Sequence, residues 1–223
     1  MNVDVFSCKN ILVFTNIFTN NNSLGLSHSH EDLLSYCIFW RGKELLIDSG
    51  RLSYSTKNLT GQSSHNGLFL QGRPLRPVQR WFSGKTDWHE AVNITIAGNQ
   101  IDEKIYSAIN KITGDQKTVN FKIFEHSIQI NECYKTAKKN PIFSLANSFA
   151  ATAFASVSDK RIFQTDKIVV KYSFDIKASS QERAKEFQSI SPRILVKNCC
   201  NLVSESGVAN TRINIKYEAE ADN

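Results

Sequence analysis

The sequence has no run of about 18 apolar residues, the length a helix needs to cross a bilayer, so no membrane-spanning helix is expected within its 223 residues. It also has no C-x-x-C pair. Its five cysteines, Cys8, Cys37, Cys133, Cys199 and Cys200, are odd in number, which points neither to a thiolate zinc site nor to a complete disulfide framework. If Cys199 and Cys200 lie on a strand, as their surroundings suggest, they face opposite ways and one of them is a core candidate. The opening MNVDVFSCKNILVFTNIF lacks both a basic n-region and a small-residue cleavage site. No secretory signal is expected from it, and the compartment stays open. Internal repeats and low-complexity linkers are missing as well. A chain whose first residues already read as strands is expected to be the mature or truncated end of something longer.

What is present reads as one folded domain. This length buries a core without covalent staples, and a hydrophobic fraction of 41% argues against disorder. The 27 Lys and Arg residues exceed the 21 Asp and Glu residues, for a formal charge of +6. Such a surface suits an anionic partner, acidic polysaccharide or nucleic acid, and equally suits a mildly basic protein with no such partner. Short β-prone runs recur between turn residues. They cover 11–18, 33–40, 44–47, 67–71, 92–96, 101–109, 118–123, 127–133, 143–148, 151–157, 167–176, 193–196 and 211–217. The first residues add one or two more. Turns are marked by Asn20-Asn21-Asn22-Ser23, Arg41-Gly42-Lys43, Ala97-Gly98-Asn99 and Lys139-Asn140-Pro141. Only Ser180–Phe187 reads as a helix, capped by Ser179 or Ser180. Many short strands without alternating helices imply an all-β fold, a multi-stranded antiparallel sandwich or barrel over residues 1–217. Residues 218–223 are expected to form a disordered tail.

The segment Leu26-Ser27-His28-Ser29-His30-Glu31-Asp32 carries the chemistry. On extended backbone, alternate residues share a face, so His28, His30 and Asp32 project together. Two imidazoles and a carboxylate suit a divalent metal or acid–base work, and equally an ordinary surface or core pairing. A metallo-β-lactamase-type H-x-H-x-D-H fails because Leu33 follows Asp32. A cupin motif fails because Leu34 and Ser35 stand where its glutamate belongs.

A longer pattern fits better. His28-Ser29-His30-Glu31-Asp32-Leu33-Leu34-Ser35 is followed by Gly42, then Leu45-Leu46-Ile47-Asp48-Ser49-Gly50, then Tyr54, and then Ser64-His65-Asn66. This order resembles the heparinase II/III-like family: H-x-H-x-D-x-L-S, a hairpin glycine, an apolar strand ending D-x-G, a tyrosine and H-N. Later, Ser191-Pro192-Arg193 is similar to a family strand, although Ile194-Leu195 replace its usual Tyr-Gly. The resemblance implies the C-terminal β-sandwich of a polysaccharide lyase, which cleaves uronic-acid glycans by β-elimination. By the same resemblance His30, Asp48 and His65 would hold Zn²⁺, as structural or orienting metal, with a position left for water. His28 would be the catalytic base or carboxylate neutraliser, and Asn66 would meet substrate or orient His65. Without the metal, Asp48 and His65 read as an ordinary turn aspartate and a loop histidine.

Active members of that family carry an N-terminal helical toroid, which supplies a catalytic tyrosine and which the sequence lacks. Tyr36 and Tyr54 are no substitute for it. The toroid is therefore expected in cis or as a partner chain, and the chain alone is expected to be inactive. Arg73 and Arg76, near Arg80-Trp81, suit the carboxylates or sulfates of an acidic polysaccharide; the same loop also reads as a plain solvated basic face. No nucleic acid partner is expected. Two alternatives stay open. One is a non-catalytic carbohydrate-binding or structural module keeping only the metal site, and the other is a metal-dependent hydrolase of another family.

Overall fold

The computed structural model describes residues 3–17, 32–48, 65–75, 92–98, 100–150, 156–159, 162–164, 168–174, 178–182, 186–188 and 194–217. Every regular element among them is a β-strand. The first half of the chain forms β1 (Val3–Cys8), β2 (Ile11–Asn16), β3 (Tyr36–Trp40), β4 (Lys43–Leu46), β5 (Gly67–Leu70), β6 (Val92–Ala97) and β7 (Glu103–Asn110). Next come β8 (Gln116–Ile123), β9 (Ser127–Lys135), β10 (Ile142–Ala150), β11 (Ser156–Asp159), β12 (Ile162–Gln164) and β13 (Ile168–Phe174). The chain ends with β14 (Ala178–Glu182), β15 (Glu186–Gln188), β16 (Ile194–Val203) and β17 (Val208–Tyr217). Residues 218–223, expected as a tail, lie outside the described residues.

The strands make two antiparallel sheets, which is the expected all-β sandwich. One runs β1-β2-β3-β4-β10-β16-β14, with β5 also on β10 and β15 also on β16. The other, of eight strands, runs β11-β12-β13-β17-β9-β8-β7-β6. Strict alternation decides which side chains meet. In the eight-stranded sheet Val119, Phe121, Ile128, Ile130, Tyr134, Ala209, Ile213 and Ile215 turn inward and are buried. From the other sheet Tyr36, Ile38, Leu46, Leu68, Leu70, Phe143 and Leu145 close the same core. Tyr36 and Tyr106 both set their rings edge-on to Phe121, at 5.2 and 5.9 Å, the arrangement that aromatic quadrupoles favour.

Two sequence expectations are corrected here. The described residues of Ser180–Phe187 are strand, not helix: β14 and β15 both pair antiparallel with β16. β16 has ten residues and pairs with β10 along one side, so its other side offers N–H and C=O groups to β14 and β15. Pairing with it outweighs the weak local preference of a short polar segment. The strand read from Leu33 begins only at Tyr36, because Leu34 is left-handed (φ 56°) although fully buried. That costly conformation turns the Leu34 carbonyl to a buried ammonium, Lys117 Nζ, at 3.2 Å. The Arg41-Gly42 turn between β3 and β4 is as read, with both residues at positive φ (49° and 73°). This is the signature of the two-residue turn that follows strand twist.

Candidate functional site

Of the residues nominated from sequence, His28, His30, Tyr54 and Arg76 lie outside the described residues. Asp48 and His65, 17 positions apart, do meet: His65 Nδ1 is 2.8 Å from Asp48 Oδ2. The histidine is buried and the carboxylate is half-buried. Here aspartate and imidazole bond to one another directly. Among the described residues no group of three His, Cys, Asp or Glu side chains is placed to hold a metal ion, so the zinc centre expected there is not supported. The Asp48 charge is felt instead by Cys37, whose thiol is pushed up to about 11 by burial first and by Asp48 next. Asn66 is fully buried and donates Nδ2 to the carbonyls of Tyr36 (2.8 Å) and Ile47 (3.1 Å), tying β3 to the end of β4. Arg73 pairs with buried Asp115 at 2.6 Å and also donates to Thr136 Oγ1 at 2.7 Å.

Next to this region lies a polar cluster that sequence reading did not anticipate. Lys117 on β8 and Glu132 on β9 face inward and are fully buried, with Nζ 3.7 Å from Oε2. Glu132 accepts from the Tyr36 hydroxyl (2.9 Å) and from the Leu68 amide (2.8 Å). The ammonium also lies 4.1 Å from the centre of the Phe69 ring. Burial lowers the Lys117 pKa to about 8, against the opposing pull of Glu132. Gly67 makes the room, since a Cβ there would stand 2.9 Å from Lys117 Nζ. The cluster joins the two sheets from within the core.

The outward face of the eight-stranded sheet is different. Strand register sets its side chains in rows. One row reads Ser173, Arg212, Asn131, Asn120 and Ile105 across β13, β17, β9, β8 and β7. The next reads Asn214, Gln129, Lys122 and Glu103, and a third Asn210, Cys133, Thr118 and Ser107. At about 4.8 Å per strand, the row from Ser173 to Asn120 spans ~14 Å. A groove of about 600 Å³ lies over these rows.

The side chains in the groove position one another. Gln129 Nε2 (2.8 Å) and Arg212 Nε (3.0 Å) both donate to Asn131 Oδ1. Asn120 Nδ2 donates to Glu103 Oε1 at 2.9 Å, and Lys122 Nζ sits 3.1 Å from the same oxygen. Those two donors, Asn120 first, hold the Glu103 carboxyl below its ordinary pKa, so it stays ionised at neutral pH. The sequence did carry a signal for this face. Amide residues recur on one face of a strand (Gln129 and Asn131 two apart, then Asn210 and Asn214 four apart), but such alternation alone reads as an ordinary solvent face.

No family model matches the sequence, and no curated protein matches it. Among the solved structures that match is one from Escherichia coli K12 described as a "Putative aldose 1-epimerase". The pair has a TM-score of 0.47 and 6% identity, over 98% of this chain and 99% of that one. The heparinase II/III resemblance is therefore corrected. The motif order from His28 to Asn66 retrieves no family model. Membership of that family, polysaccharide lyase activity and the zinc expected with them are withdrawn. Of the three expected ligands, Asp48 and His65 meet one another at 2.8 Å, and His30 lies outside the described residues. At this level of similarity the solved structure assigns neither an activity nor a ligand to this chain.

Proposed function

We propose that this chain is a carbohydrate-binding module whose binding face is the outward side of the eight-stranded sheet. The observation that carries this reading is the amide–guanidinium array of Gln129, Asn131 and Arg212, locked together at 2.8 and 3.0 Å beneath the groove. Planar amides and guanidinium groups donate and accept in fixed directions, which suits the dense hydroxyls of a glycan. Because these side chains already fix one another, little rotamer freedom remains to be lost on binding.

Binding is favoured over catalysis by what the groove offers. Glu132, the carboxylate among the groove's lining residues, turns its side chain inward to Lys117, Tyr36 and Leu68, and Glu103 beside the groove is held ionised by Asn120 and Lys122. An acid–base pair needs two groups with pKa values pushed apart, and Glu103 has no such counterpart there. A nucleic acid strand is disfavoured because the described outward residues of β7, β8, β9 and β17 include no aromatic ring on which a base would stack.

The test is an amide-resolved NMR titration with cello-, xylo- and galacturono-oligosaccharides. Shifts are expected in β8, β9 and β17, with β3 unmoved. Replacing Asn131 by Ala should weaken binding at least about fivefold, the worth of one net hydrogen bond. No response to any of the three sugars, or a response confined to other strands, would end the proposal.

A further inference from the structure

The groove is not electrically uniform. On its β7–β8 side Lys122 is matched by Glu103 at 3.1 Å. On its β17 side Arg212 is exposed, and its outward neighbours Ser173, Asn131, Asn210 and Asn214 are all uncharged. Further along the same face of β17, Lys216 adds a second exposed cation. One guanidinium donor, Nε, is spent on Asn131 at 3.0 Å, and that bond sets the plane of the group. The Nη edge keeps the parallel pair of N–H bonds that matches a carboxylate, an interaction stronger than a neutral hydrogen bond. A neutral sugar would leave that charge uncompensated, whereas a carboxylate would complete it.

We propose that Arg212 is a carboxylate subsite, so that the face selects uronic-acid-containing glycans over neutral ones. This rests on the carbohydrate-binding reading above. Two inter-strand gaps, ~10 Å, separate β17 from β8. The uronate therefore lies over β17, while a neighbouring hydroxylated portion meets Asn131 and Asn120.

The experiment compares three probes by calorimetry: an oligogalacturonate, its methyl ester, and a sulfated oligosaccharide of galactose. Each is titrated into the wild-type chain, Arg212→Gln and Asn131→Ala. The acid is expected to bind the wild type about tenfold more tightly than the ester, the scale of one charge-assisted hydrogen bond. In Arg212→Gln that ratio should fall to near one, and Arg212→Lys should restore part of it. Arg212 is exposed, so its variants should keep the wild-type urea midpoint, which is measured alongside. Equal binding of acid and ester by the wild type, or a ratio that survives in Arg212→Gln, overturns the carboxylate subsite. So does tighter binding of the sulfated sugar. If the ester still binds and Asn131→Ala weakens it, the carbohydrate-binding reading stands without the subsite. If none of the three probes binds, the subsite falls, and the carbohydrate-binding reading falls with it if cello- and xylo-oligosaccharides also give no response.

Discussion

Lys117 and Glu132 show what a buried charge demands of its surroundings. Each is fully buried, and each is matched: the carboxylate by Tyr36, Leu68 and Lys117, the ammonium by Glu132, the Leu34 carbonyl and the Phe69 ring. Removing one partner leaves the other ionised without compensation, which costs ~3–5 kcal/mol. Lys117→Met should therefore destabilise the chain by about that amount in urea unfolding. Adding Glu132→Gln removes the stranded charge, while the new amide still accepts from the Leu68 N–H and donates to the Tyr36 hydroxyl. The double variant should recover most of the loss and remain only ~1–2 kcal/mol below wild type, the residue of the unpaired Leu34 carbonyl. A double variant as unstable as the single one would show that packing, not charge, holds this site.

At the scale of elements, two glycines with positive φ serve different ends. Gly42 sits in the Arg41-Gly42 hairpin turn, where an added Cβ would meet nothing within 4 Å. Gly67 opens β5 at φ 133°, where a Cβ would approach Lys117 Nζ to 2.9 Å and Glu132 Oε2 to 3.1 Å. Gly42→Ala should therefore cost only the left-handed strain, ~1 kcal/mol. Gly67→Ala adds displacement of a buried ion pair and should cost distinctly more, ~3 kcal/mol or above. Thermal melts of the two variants side by side check the order, and equal losses would mean that the ion pair yields without cost. The turn at Gly42 was legible because its chemistry is local. The need for glycine at 67 was not, since it arises from two residues 50 and 65 positions away.

For the whole molecule, the buried ionisable groups set the response to alkali. Burial lowers Lys117 from 10.5 to about 8. Between those values the unfolded chain holds a proton that the folded chain has released, so stability rises with pH. Cys37 acts in the opposite sense. Its thiol is raised from 9.0 to about 11, so above pH 9 the unfolded chain loses a proton that the fold retains. Tyr106 and Tyr134 are raised by burial above their ordinary 10.0 and add the same loss above that pH. The urea midpoint should climb from pH 8 to 9, level off to about pH 10 and then fall. In the Lys117→Met/Glu132→Gln variant the climb should vanish and the fall remain. A wild-type midpoint that declines steadily from pH 8 would contradict the buried-lysine account.

The sequence by itself determined the class of fold. Period-two alternation is a local property, and it carried β8, β9 and β17 with their inward and outward faces, as well as the hairpin turn at Arg41-Gly42. It did not determine the site. Between His28 and Asn66 the motif spacing suggested a metal and a catalytic histidine, yet spacing cannot show where side chains converge, and Asp48 and His65 converge on each other. The helix read at Ser180–Phe187 was overturned because the conformation of its described residues is decided by pairing with β16, which lies outside the segment. Only the register between β17, β9 and β8 sets Arg212 beside Asn131 and Asn131 beside Asn120, residues 81 and 11 positions apart. A binding face of this kind is assembled by hydrogen bonds between strands, and no single strand contains it.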